Sequence, residues 1–176
     1  MVIPRKAVSA ATACAAAVGM LLLSPAPASA EVSPGDYRIA FEKNDAEVVP
    51  YGGSTARTDI RVWPADHVGM QWDVSYAGHS SGMASYEIRN LRSGLCMQPK
   101  NGNTTANQRI EQTTCSHRNE QRWHVSDVGN GAQQIIPVKN TQLGVTLENP
   151  AWNGSFLKLG YHNPSNPDFR WRFNRI

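Results

Sequence analysis

Apolar residues in this chain recur at every second position, over short runs. Tyr86-x-Ile88, Leu95-x-Met97, Trp123-x-Val125 and Trp171-x-Phe173 each alternate apolar with polar side chains. That period belongs to half-buried β-strands and not to helices. Gly and Pro are spread evenly and leave no room for a long helix. The pattern also repeats on a larger scale. Trp72-x-Val74, Trp123-x-Val125 and Trp171-x-Phe173 stand 51 and 48 positions apart. An early apolar column, Ile39, Ile88 and Ile136, keeps spacings of 49 and 48. A mid-unit column, Ile60, Ile110 and Leu157, keeps 50 and 47. Glycine- and asparagine-rich turns fall between these columns in each copy.

Three degenerate copies imply an all-β architecture of threefold character. Each unit has room for about four short strands, roughly twelve in all. The units are expected at about 37–85, 86–132 and 133–176, after a short tail at 31–36. One unit cannot bury its apolar face alone. Three together close a barrel capped by hairpins, which protects the strand edges. The recurring tryptophans are then core residues. Trp171 and Phe173 are expected to face inward, with Arg170, Arg172 and Asn174 outward.

Residues 1–30 stand apart from this pattern. Arg5 and Lys6 precede an apolar or small run from Ala7 to Leu23, and the segment ends Ala26-Pro27-Ala28-Ser29-Ala30. This reads as a cleaved export signal, so the protein is expected to be secreted. No later stretch approaches a membrane span. Cys14 lies in the signal, which leaves Cys96 and Cys115. An even pair in an exported chain implies a disulfide, and closing a loop of that size is worth roughly 3 kcal/mol.

Removing the signal also changes the charge. The sequence holds 17 basic and 14 acidic residues; without Arg5 and Lys6 the balance is 15 minus 14, or +1. No electrostatic footprint for nucleic acid or anionic membrane remains. The remaining length, 176 minus 30 residues, suits one domain.

One stretch carries more than periodicity. Residues 86–125 read Tyr86-x-Ile88-x-Asn90, Ser93-Gly94-Leu95-Cys96-Met97, Cys115 and Gln121-Arg122-Trp123. This resembles one subdomain of a ricin-type β-trefoil lectin domain. The likeness is strong in the middle unit and weaker in its neighbours, and runs from Tyr37 to Ile176. It implies a β-trefoil and a shallow sugar pocket in each unit. The family's pocket uses a carboxylate after the first cysteine, an aromatic ring before the second, and a polar residue before Gln-x-Trp. Here those positions hold Gln98, Thr113 and Glu120, and Gln121 agrees with the pattern. In the third unit they fall on or near Thr146, Leu159 to Tyr161, and Asp168, with Phe169 in place of Gln. In the first unit Met70 replaces Gln and Gly69 precedes it, with Trp63 and Asp66 nearby. No unit keeps the full set.

The resemblance therefore implies binding through Gln98, Thr113, Glu120 and Gln121, with Tyr161 and Asp168 as a second group. The expected ligand is a glycan or glycoconjugate, taken up without chemistry. The alternative is a protein-binding trefoil, such as an inhibitor or a toxin or envelope accessory subunit. Trp63, Tyr51, Trp152 and Tyr161 are candidate surface rings, Trp152 foremost. No catalytic residues are expected: the carboxylates suggest no pair, and Ser80-Ser81-Gly82 lacks a Gly-x-Ser-x-Gly elbow. His67, His79, His117, His124 and His162 show no ligand spacing and are expected on exposed loops, so neither metal nor cofactor is expected.

Overall fold

The computed structural model describes residues 32–64 and 67–176. The expected export signal, Cys14 and Asp66 lie outside these residues. The strands are β1 (Gly35–Phe41), β2 (Glu47–Pro50), β3 (Thr58–Trp63), β4 (Gln71–Ser80), β5 (Met83–Asn90) and β6 (Cys96–Pro99). They continue with β7 (Ile110–Thr113), β8 (Arg122–Asp127), β9 (Gln133–Pro137), β10 (Leu143–Leu147), β11 (Leu157–Tyr161) and β12 (Trp171–Arg175). Each unit contributes four strands, and the first two units open a few residues earlier than expected: β1 already includes Gly35 and Asp36, and β5 starts at Met83.

The first and last strands of each unit build a barrel in the order β12-β9-β8-β5-β4-β1, which β1 and β12 close. The middle strands form three hairpins, β2–β3, β6–β7 and β10–β11. These hairpins meet across one end as a cap. Thr58 and Asp59 of β3 pair with Gln112 and Glu111 of β7. Isolated bridges join Arg61 to Phe156 and Arg109 to Lys158. The architecture is a β-trefoil, and all three units supply the cap.

The core lies where the repeat places it. Trp72, Trp123 and Trp171 are fully buried. A buried indole N–H is costly unless it finds an acceptor. Each finds the same one: Trp72 Nε1 donates to Val48 O at 2.9 Å, Trp123 Nε1 to Met97 O at 3.1 Å, and Trp171 Nε1 to Val145 O at 3.0 Å. Each ring therefore seals its barrel strand to the first hairpin strand of its own unit. Ile60, Ile110 and Leu157 are buried beside them.

The early apolar column needs one correction. Trp171 faces Gln133 across β12–β9, as Trp123 faces Tyr86 and Trp72 faces Tyr37. Two residues further on stand Ile39, Ile88 and Ile135, all in the main core cluster. Ile136 points to the other face of β9. Phe173 is half-buried against Tyr37, while Arg172 and Asn174 are exposed. Arg170 is half-buried instead of outward, its guanidinium 3.8 Å from Glu42.

Cys96 and Cys115 are bonded, with Cα atoms 5.0 Å apart. The bond ties the start of β6 to the loop leaving β7. Among the described residues no helix is long and apolar enough to cross a membrane.

Candidate functional site

Sequence reading centred the site on the middle unit, and a polar chain does run through it. Gln121 is 1% exposed and sits in the 3-10 turn before β8. Its Nε2 donates to Thr114 O at 2.9 Å and to Gln98 Oε1 at 3.0 Å, and its Oε1 accepts from Ser116 N at 2.6 Å. Gln98 in turn donates through Nε2 to Glu111 Oε1 at 3.0 Å. Gln121 and Gln98 thus spend their polar atoms on the fold and converge on a third residue.

That residue, Glu111, was not among the expected site residues. Its side chain is 2% exposed, and both oxygens are engaged. Arg57 donates through Nε to Oε2 at 2.9 Å and through Nη2 to Oε1 at 2.8 Å. The Asn101 backbone N–H adds a bond of 2.9 Å to Oε1. Burial alone would raise the Glu111 pKa. The hydrogen bonds from Arg57, Asn101 and Gln98, with the Arg57 charge, outweigh it and hold the carboxyl below its ordinary 4.5. The hydrogen bond to Glu111, with the Glu111 charge, raises the Arg57 pKa in return. Arg57 is delivered by the loop before β3. Gln112, fully buried, clasps that loop through bonds to Ser54 O at 2.9 Å and Ala56 O at 2.7 Å.

The other expected residues are only partly brought together. Thr113 stands opposite Cys96 across β6–β7, half-buried and too short to offer a stacking surface. Glu120 is half-buried and contacts Lys139 Nζ at 3.3 Å; its carboxyl pKa is lowered, chiefly by a hydrogen bond to its own backbone N–H. Tyr161, at the end of β11, is 73% exposed. Asp168 accepts from Lys43 Nζ at 2.9 Å, and its backbone carbonyl accepts from Thr146 Oγ1 at 2.7 Å. Phe169 occupies the position of Gln121 in the third unit. Its ring fills the space over Gly144 and Gly160, where an added Cβ would stand 3.2 Å from it. In the first unit the equivalent Met70 is buried, with its sulfur accepting from His67 N. Among the described residues, a polar pocket interior therefore survives only in the middle unit.

Glu111 forms part of a larger feature. A groove of about 540 Å³ opens on the cap, lined by Tyr51, Arg57, Asp59, Lys100, Asn101, Glu111 and Phe156 among others. All three units contribute to it. Tyr51, 52% exposed, lies with its ring centroid 5.5 Å from that of Phe156. Asp59 is gripped by Lys100 at 2.8 Å and Arg109 at 3.2 Å, and Arg109 also pairs with Glu148 at 2.6 Å. The arrangement places flat rings beside fixed charges and amides at a wet surface.

The histidines are less uniform than expected. His124 lies buried in β8, with Nδ1 2.8 Å from Ala84 O. It points away from the core that Trp123 and Val125 enter, and is buried because β8 is covered on both faces at that point. Among the described residues, no three His, Cys, Asp or Glu side chains cluster as metal ligands. Trp152 is 57% exposed, and its ring lies over Gly154.

A family model described as ricin-type beta-trefoil lectin domain-like matches residues 69–155. No curated protein matches the chain by sequence. Among solved structures, the designed 3-fold symmetric protein ThreeFoil aligns with a TM-score of 0.72 at 16% identity, covering 81% of this chain and 99% of its own. The Macrolepiota procera ricin B-like lectin, in complex with lactose, aligns at 0.67 and 18%, covering 84% and 100%. An exo-beta-1,3-galactanase from Clostridium thermocellum aligns at 0.72 and 16%, covering 84% of this chain but 31% of the enzyme. At these identities the likeness speaks for the fold. The family match makes residues 69–155 ricin-type beta-trefoil lectin domain-like, and the shared fold extends that likeness over the three units.

Proposed function

We propose that this is a secreted, non-catalytic protein that recognises glycans on the cap of its trefoil. The cap groove carries this reading. A pyranose has an apolar face and a rim of hydroxyls. Tyr51 and Phe156 offer rings to the face, and Asn101 and Lys100 offer hydrogen-bonding groups to the rim, with Glu111 buried behind them to fix Arg57 and the Asn101 backbone. Gln98 and Gln121 then serve as supports that fix Glu111, with Thr113 and Glu120 at the margin. Tyr161 and Asp168 form a second, separate candidate patch. The fold agrees with this role, since a lectin in complex with lactose shares it.

One observation favours the second reading, a protein-binding trefoil. The family's sugar positions are closed in the first and third units by Met70 and Phe169, and in the middle unit by mutual hydrogen bonds. Saccharide titration followed by backbone amide shifts separates the two. The glycan reading expects saturable shifts at Tyr51, Asn101 and Glu111 for at least one sugar. Silence across a broad saccharide panel, from a folded protein, removes it in favour of a protein ligand.

A further inference from the structure

Beside the groove, Arg61 differs from its neighbours. Of the cations lining the groove, Arg57 is neutralised by Glu111 and Lys100 by Asp59. Arg109, at the groove's edge, is held by Asp59 and Glu148. Among the described residues, Arg61 has neither a carboxylate partner nor a side-chain hydrogen bond, and its Nε is buried without an acceptor. Glu47 of β2, which faces Trp63 across the β2–β3 ladder, is engaged by Arg38 at 3.4 Å. Two rings hold the guanidinium in place. Its central carbon lies 4.0 Å from the Trp63 ring centroid and 4.8 Å from that of Tyr51. Both rings are partly open to solvent, and Tyr51 continues to Phe156.

Stacking fixes the plane of a guanidinium and leaves its edge N–H groups for an anion. A carboxylate takes such an edge bidentately. Two rings against the same anchor suit a flat partner that carries the anion. A neutral sugar would leave the Arg61 donors unmatched; a small free anion would leave the rings unused. We propose that the Trp63–Arg61–Tyr51 stack binds an acidic saccharide, its carboxylate on the Arg61 edge and its sugar ring against Tyr51 or Trp63. This rests on the glycan reading above and names the ligand class for the cap.

The probes are methyl β-D-glucuronide, methyl β-D-glucoside and acetate, titrated against the full protein while Trp63 indole and Arg61 Nε–H resonances are followed. The glucuronide should shift both and saturate at least about tenfold below the glucoside, a difference near 1.4 kcal/mol. Acetate should be the weakest of the three. Arg61→Gln, checked for an unchanged melting profile, should reduce the glucuronide to the level of the glucoside. Should Arg61→Gln unfold, Trp63→Leu serves as the second variant and should weaken both sugars. Equal binding of glucuronide and glucoside overturns the acidic-ligand proposal and leaves glycan recognition standing. Acetate binding as tightly as the glucuronide reduces the site to an anion trap and overturns it too. No response to any probe, with other sugars still binding elsewhere, ends this inference alone; silence toward every sugar ends both readings.

Discussion

Trp123 is held twice over, by complete burial and by the hydrogen bond from its Nε1 to Met97 O. Truncation to alanine removes the ring and leaves a carbonyl unmatched, so Trp123→Ala should cost about 3–5 kcal/mol in denaturant unfolding. Glu111 behaves differently because its contribution depends on pH. Its folded pKa lies below the ordinary 4.5. A carboxyl lowered by folding stabilises the protein above its unfolded pKa and loses that contribution as pH falls through the folded value. Glu111→Gln should therefore be less stable near neutrality and should lose less stability than the parent as pH drops below about 4.5. Parallel melting-versus-pH curves for the two proteins would contradict this. The tryptophans were legible in the sequence because their spacing repeats. Glu111 was not, since nothing local in Ile110-Glu111-Gln112 marks a buried acid. Its main partner, Arg57, is 54 positions away in another unit.

Elements inherit these differences. The β6–β7 hairpin is stapled by Cys96–Cys115 and tied to the turn before β8 by Gln121. Cys96→Ser should lower stability by roughly 2–5 kcal/mol, and the same loss should appear in the parent under reducing conditions. An unchanged melting curve would mean that the bond is not formed in solution. The strands themselves follow from alternation, and the barrel from the repeat. The one-residue slip from Ile136 to Ile135 has a physical source. Both residues of the Ile135-Ile136 pair are apolar, so alternation is silent there and only the pairing of Trp171 with Gln133 selects the inward one. The third unit lost its polar pocket for a similarly local reason. Phe169 fills a space that Gly144 and Gly160 keep open, and the Gln-to-Phe change was visible while the paired glycines were not recognised as its seat.

At the scale of the whole molecule, the cap is a joint product. Tyr51, Glu111 and Phe156 come from three different units and meet only after the barrel closes. Period and motif located the family's own pocket positions, but no one-dimensional pattern brings these three residues together. The account makes the cap a glycan-binding surface with its polar interior already satisfied and its rings and Arg61 edge still available. A glycan array probed with the folded protein free of residues 1–30, with Arg61→Gln beside it, tests this most directly. The account predicts selective retention of carboxylate-bearing glycans, lost in the Arg61→Gln variant. An array on which the folded protein retains nothing, acidic or neutral, would contradict it.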